Sequence, residues 1–385
     1  MDWVVVVDDD ILNLKMAGHI LSKHNMRVTA LKSGTALIEF IKTNKPDLIL
    51  LDIKMPGMDG FETLQRLQEQ TSLQEQIPVI FLTADDNQES ETRGLALGAM
   101  DFIKKPFVPD VLVLRVRHTI ELVRLQHNLE KENERISAEL AMASRIQSAM
   151  LPGIFPAFPD REDIDIYASM TPVRGVGGDF YDFFFTDKDH LCLLIADVSG
   201  KGIPAALFMM VSKIVLAENA KAGKTPAQIL EDTNAMICAN NPEEMFVTVW
   251  LGILEISTGI LTAANAGHEY PALMHSNGRF ELMKHKHDLI IGAFPDTRYR
   301  EYQIKMSPGS KLFVYTDGVP EAANSENELF GTSRMLDALN ENAEESPKQV
   351  LLGVSRAVGD FVRDSEQFDD LTMLCLEYRP GKKEQ

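Results

Sequence analysis

The chain has 385 residues, 45% hydrophobic and 25% charged, which is the composition of ordered globular protein and excludes bulk disorder. At that length two domains and a connection are expected. The formal charge of −19 argues against a nucleic-acid partner. No run of about 18 apolar residues suggests a membrane span. The start, Met1-Asp2-Trp3-Val4, lacks the basic leader of a signal peptide. Three scattered cysteines, Cys192, Cys238 and Cys375, exclude a disulfide framework and a cysteine zinc site, so a cytoplasmic location is expected.

Residues 1–110 alternate short apolar runs with amphipathic stretches. Val4–Val7, Val28–Leu31, Leu48–Leu51, Val79–Leu82 and Phe102–Ile103 predict buried strands. Ile11–Asn25 and Thr35–Thr43 predict helices between them. Strict alternation predicts an α/β domain, a doubly wound parallel sheet covered on both faces. Its site belongs at the carboxyl ends of the strands. Asp8, Asp9 and Asp10 follow the first strand, Asp52 the third, Thr83 the fourth and Lys105 the fifth. Carboxylates gathered in one crevice repel one another unless a hard cation sits among them, and Mg²⁺ takes such oxygen ligands.

The segments Val5–Asp10 (VVVDDD), Leu48–Gly60 (LILLDIKMPGMDG), Ile77–Ala84 (IPVIFLTA) and Gly98–Phe107 (GAMDFIKKPF) resemble the receiver domain of two-component response regulators. The resemblance implies Asp52 as phosphoacceptor and Asp8, Asp9 and Asp52 around a Mg²⁺ ion. It implies that Thr83 and Lys105 contact the phosphoryl group and that Phe102 is the switch aromatic. A sensor histidine kinase is the implied partner.

Residues 111–150 contain neither Gly nor Pro. Leu122, Leu129, Ile136, Ala143 and Met150 recur every seven residues, with Gln126, Asn133, Leu140 and Gln147 between them. That is a heptad seam carrying three amides, and it predicts a helical coiled-coil linker about 60 Å long and a homodimer.

Residues 151–380 form the predicted output domain, where the acidity is concentrated. Strands are expected at Ile164–Met170, Leu191–Asp197, Phe246–Ile256, Ile260–Ala266, Lys311–Tyr315 and Leu371–Glu377, with a hairpin turn at Ser257-Thr258-Gly259. Helices are expected at Pro204–Ala222, Pro226–Ala239 and Pro347–Arg363. Asp179, Asp197, Asp317 and Asp369 each adjoin an apolar strand, with no counter-charge evident nearby in sequence. Asp317-Gly318 is also an ordinary turn signal. Together the four suggest a carboxylate nest for two divalent cations, which clamp an in-line phosphoryl displacement. No cysteine is followed by arginine at the spacing of a thiol phosphatase, so a cysteinyl-phosphate route is excluded.

These motifs, with Arg145–Pro152 (RIQSAMLP) before them, resemble the bacterial RsbU/SpoIIE-like branch of type 2C (PPM) serine/threonine phosphatases. The resemblance implies an α/β sandwich of antiparallel sheets with flanking helices. It implies two Mn²⁺ or Mg²⁺ ions held by Asp179, Asp197, Asp317 and Asp369, with Asp197 bridging, the Val198 carbonyl assisting and Asp370 alongside. Arg174 would contact phosphate, although Gly175 stands where an acidic residue is usual. The substrate would be a phosphorylated protein, typically an anti-sigma-factor antagonist. His268 is read as structural and Met209-Met210 as core. Two other outputs compete. Arg174–Phe180 resembles the signature of diguanylate cyclases but lacks its Glu and leaves the other aspartates unexplained. A non-catalytic adaptor does not need all four aspartates.

Overall fold

The computed structural model describes residues 1–70, 77–84, 88–173, 175–221, 223–275, 278–363, 365, 367 and 369–380. The chain divides into two compact units, 1–136 and 137–385.

In the first unit β1 (Trp3–Val7), β2 (Arg27–Leu31), β3 (Leu48–Asp52), β4 (Val79–Thr83) and β5 (Asp101–Lys104) form one parallel sheet in the order β2-β1-β3-β4-β5. Successive side chains of a strand face opposite ways, so a strand buried on both faces must be apolar throughout. Val4 and Val6 therefore pack with Leu14, Leu48 and Ile80 on one face, while Val5 and Val7 pack with Leu37, Ile49 and Phe81 on the other. Helices α1 (Ile11–Lys23), α2 (Gly34–Ile41), α3 (Gly60–Gln70) and α4 (Gln88–Ala96) connect the strands. Asp10 and Ser33 cap α1 and α2 by accepting from Leu12 N and Ala36 N.

Helix α5 runs unbroken from Pro109 to Met150. Leu112, Val113, Val116 and Ile120 belong to the first core, and Leu151, just past its end, to the second. Leu122, Leu129 and Ile136 are exposed apolar residues along its middle.

The second unit contains two antiparallel five-stranded sheets. Strands β7 (Phe180–Phe185), β8 (His190–Val198), β9 (Val247–Glu255), β10 (Ile260–Ala266) and β13 (Glu301–Lys305) form one, in the order β13-β10-β9-β8-β7. Strands β6 (Ile164–Thr171), β11 (Ala272–Met274), β12 (Phe280–Leu282), β14 (Lys311–Tyr315) and β15 (Leu371–Tyr378) form the other, in the order β12-β11-β14-β15-β6. Leu193, Ile195, Leu254, Leu312, Val314, Leu374 and Leu376 share the core between the sheets. Each such side chain contributes about 1.5–3 kcal/mol by burial. Phe313, Tyr315, Met373 and Cys375, the alternate residues of β14 and β15, face α8 (Gly331–Glu341) and α9 (Pro347–Val362) instead. Helices α6 (Ile203–Ala220) and α7 (Pro226–Cys238) cover the first sheet, giving the expected α/β sandwich.

Sequence patterning does not reveal β7, β11, β12, β13 or α8. Helix α6 also differs from expectation, being long and apolar enough by length and composition to cross a membrane. Its buried face, Ala205, Met209, Ser212 and Leu216, packs instead within this domain. Strands β9 and β10 form the hairpin expected across Ser257-Thr258-Gly259, where Gly259 adopts a φ of +69°.

Candidate active site

The first unit gathers its predicted residues at the carboxyl edge of the sheet. Asp8 is fully buried and Asp52 nearly so. Lys105 Nζ lies 2.7 Å from both Asp8 Oδ2 and Asp52 Oδ1. Asp8 Oδ1 accepts from Asp10 N at 2.9 Å and from Asn13 Nδ2 at 3.2 Å. Burial pushes the Asp52 carboxyl above its usual range, opposed by the Lys105 ammonium and reinforced by Asp8 and Asp9. Asp8, Asp9 and Asp52 offer oxygens within 4.8 Å of one another, an all-oxygen donor set suited to a hard cation. Thr83 ends β4 and is buried. Phe102 is buried against Phe81, with ring centroids 5.5 Å apart. Gly60 has a specific steric role beyond its place in the motif: a β-carbon there would lie 2.4 Å from Asp52 O.

The second unit brings its four aspartates to one end of the paired sheets. Asp179 precedes β7, Asp197 is the penultimate residue of β8, Asp317 follows β14 and Asp369 precedes β15. Asp179 is buried and accepts from Thr316 Oγ1 at 2.6 Å. Its carboxyl is held well above the usual range, first by burial and then by the charge of Asp197. Burial, with Asp317 and Asp369 nearby, raises Asp197 to about 7. Burial, Glu321 and Asp369 raise Asp317 to about 6. Buried carboxylates that repel one another fit divalent cations with oxygen ligands. Among the described residues, no three acidic groups of this unit lie as close together as Asp8, Asp9 and Asp52.

Asp370, only a neighbour of Asp369 in the sequence, organises this end of the fold. Its Oδ1 accepts from Val173 N at 2.9 Å and its Oδ2 from Gly178 N at 2.8 Å. A β-carbon on Gly318 would lie 1.9 Å from Asp370 O, so the Asp317-Gly318 turn packs directly on its backbone. A β-carbon on Gly178 would lie 2.9 Å from Val198 O. The two glycines therefore allow three chain segments to meet around the carboxylates.

Contrary to the sequence expectation, a counter-charge does adjoin the cluster, because Lys201 Nζ lies 2.9 Å from Asp369 Oδ2. Gly200 and Gly202, with φ of +87° and +75°, shape the turn that delivers it. Arg174 lies outside the described residues. His268 is buried, with Nδ1 2.8 Å from Thr248 Oγ1 and Nε2 3.1 Å from Tyr315 O. Burial lowers it to about 4, so it is a neutral bolt between strands near Asp197 and Asp317. The described residues explain Asp179 by its bond to Thr316 within an antiparallel double sheet, and the likeness to a cyclase signature goes no further.

Comparison with known proteins follows the same division. The response regulator receiver domain profile matches residues 4–117, and the profile for stage II sporulation protein E (SpoIIE) matches residues 187–379. Protein IcfG of Synechocystis sp. is 29% identical over 265 residues, covering 62% of this chain and 41% of that protein. Phosphoserine phosphatase RsbU of Bacillus subtilis is 28% identical over 245 residues, covering 63% of this chain and 71% of its own length. The chain thus spans less than half the length of IcfG. The SiaA-PP2C domain of Pseudomonas aeruginosa has the same fold, with a TM-score of 0.57 at 24% identity, covering 64% of this chain and 98% of that one. The SpoIIE match spans half the chain and contains Asp197, Asp317 and Asp369, so this protein belongs to the SpoIIE family and carries an N-terminal response regulator receiver domain.

Proposed function

We propose that this chain is a response regulator whose output is metal-dependent hydrolysis of phosphoserine or phosphothreonine on a protein. The observation that carries the reading is the meeting of Asp179, Asp197, Asp317 and Asp369 around Asp370, in a chain of the SpoIIE family. Asp179, Asp197, Asp317 and Asp369, with the Val198 carbonyl, would hold two Mn²⁺ or Mg²⁺ ions. Such ions, when bound, supply an ionised water near neutral pH and shield the phosphoryl charge. The protein's own part is positional. Thr316 and Asp370 fix the Asp179 turn, and Lys201 sits beside Asp369 with a cationic group for an anionic substrate. Arg174 is proposed as a further phosphate contact.

In the receiver, Asp52 is proposed as the phosphoacceptor, with Asp8 and Asp9 holding Mg²⁺, Lys105 and Thr83 meeting the phosphoryl oxygens and Phe102 reporting the change. The phosphodonor would be a sensor histidine kinase and the substrate an anti-sigma-factor antagonist, in the cytoplasm. The domain limits 1–110, 111–150 and 151–380 belong to the same proposal, as does a homodimer paired through the seam of exposed Leu122, Leu129 and Ile136.

The experiment is hydrolysis of a phosphate ester by the purified full chain in Mn²⁺, with and without a small phosphodonor. EDTA or Asp369→Ala is expected to abolish turnover, with excess Mn²⁺ reversing EDTA. Asp52→Asn is expected to abolish labelling and any response to the donor. Undiminished turnover in EDTA would refute the metal-dependent reading.

A further inference from the structure

One side chain ties the last turn of α5 to the turn that carries Asp179. Gln147 is 4% exposed. Its Nε2 donates to Gly177 O at 2.6 Å, and its Oε1 accepts from Gly177 N at 3.0 Å. The amide and the peptide group thus pair through two bonds, as neighbouring strands do. An amide so buried is destabilising unless both its polar ends are satisfied, so the pairing is specific rather than incidental. The heptad pattern alone assigns Gln147 to an intermolecular seam, as it assigns the exposed Gln126 and Asn133.

The turn has no slack on its other side. A β-carbon on Gly177 would lie 2.0 Å from Asp370 Oδ2, and the same oxygen accepts from Gly178 N. Gly177 and Gly178 are therefore clamped between a helix side chain and Asp370, with Asp179 next in the chain. Hydrogen bonds of 2.6 and 3.0 Å weaken steeply once geometry departs from optimal. Helix shifts of about 1–2 Å are a common unit of conformational switching and suffice to break such a pair.

We propose that Gln147 is a positioning residue for Asp179, through which the end of α5 sets the divalent-cation affinity of the phosphatase site. The proposal rests on the phosphatase reading above. Gln147 touches neither cation nor substrate; it holds the Gly177 peptide and hence the approach of Asp179. Because α5 is one helix from Pro109, the element that carries Gln147 also carries Leu112 and Val116 of the receiver core. A change in how α5 is paired or turned has a direct mechanical route to the site.

The test uses the full chain in an Asp9→Asn background, which suppresses cation binding at the receiver. Mn²⁺ binding is measured by calorimetry and Mn²⁺ activation by phosphate-ester hydrolysis. Gln147→Met keeps length and volume but neither bond, while Gln147→Glu keeps the acceptor and places a carboxylate against Gly177 O. Both are expected to weaken Mn²⁺ binding by about 10–100-fold, the usual effect of removing a group that orients a ligand. Turnover at saturating Mn²⁺ is expected to return to near the parent value. In the parent, Mn²⁺ should slow amide exchange at Gly177 and Gly178, a readout that needs no variant. A folded Gln147→Met chain with unchanged Mn²⁺ affinity would overturn the proposal, even if its thermal stability falls. So would Gly177 exchange indifferent to Mn²⁺. A parent chain that binds no Mn²⁺ would instead overturn the phosphatase reading itself.

Discussion

Gly178→Ala isolates the steric demand of the carboxylate cluster. Gly178 does not adopt a left-handed φ, so an alanine backbone is unstrained there. The added methyl would lie 2.9 Å from Val198 O, 3.3 Å from Val198 Cβ and 3.4 Å from Ala205 Cβ. An ordinary carbon–oxygen contact is about 0.5 Å longer, and neither neighbour is the free end of a flexible side chain. Val198 ends β8 and Ala205 lies in the first turn of α6. Either the Val198 carbonyl moves or the turn moves away from Asp370. Overpacking of this kind costs about 1–3 kcal/mol. Stretching the charged hydrogen bond between Asp370 and Gly178 forfeits part of its worth of about 1.5–3 kcal/mol. Urea unfolding in EDTA, followed by Trp250 fluorescence in a Trp3→Phe background, should show a loss of about 1–3 kcal/mol. Because Val198 O and Asp179 are both proposed ligands, Mn²⁺ affinity should fall by about tenfold or more. A variant within about 0.5 kcal/mol of the parent, with unchanged Mn²⁺ affinity, would refute the tight packing of this turn.

Two further predictions concern pH and pairing. His268 is lowered by burial to about 4, against an ordinary value of about 6.5, so the unfolded chain takes the proton first. Its contribution is therefore fully present above pH 6.5 and is lost as pH falls towards 4, by about 3 kcal/mol in all. Asp197 and Asp317, raised by burial and by neighbouring carboxylates, act in the opposite sense in metal-free protein, so the measurement is the slope of wild type against His268→Asn. Parallel stability profiles between pH 6.5 and 4 would contradict the buried neutral imidazole. Leu129→Asp with Ile136→Asp places charges in the exposed stripe of α5 and is expected to give a monomer by sedimentation. If that monomer's turnover still responds fully to phosphorylation of Asp52, coupling through a paired helix is wrong.

The receiver is almost wholly legible in the sequence, because its chemistry sits at strand ends and each strand is a continuous apolar run. A parallel sheet buried on both faces forces that pattern, and the pattern alone assigns Asp8, Asp52, Thr83 and Lys105 to one edge of the sheet. In the second unit the aspartates are legible one by one, but their convergence is not. Strand β7 escapes because its start, Phe180–Phe183, is buried without a break, so no alternation marks it. Strands β11 and β12 are three residues each, too short to carry a period. Asp370 and Asp369 are adjacent and chemically alike in sequence. Only the fold makes Asp370 the acceptor for Val173 and Gly178 while leaving Asp369 beside Lys201. Gln147 illustrates the same limit: its heptad position is a local property, whereas its partner Gly177 is thirty residues away. Periodicity and strand-end chemistry are written locally, where each residue's neighbours in sequence impose them. The partners of a buried polar atom are set by long-range packing, which only the folded chain decides.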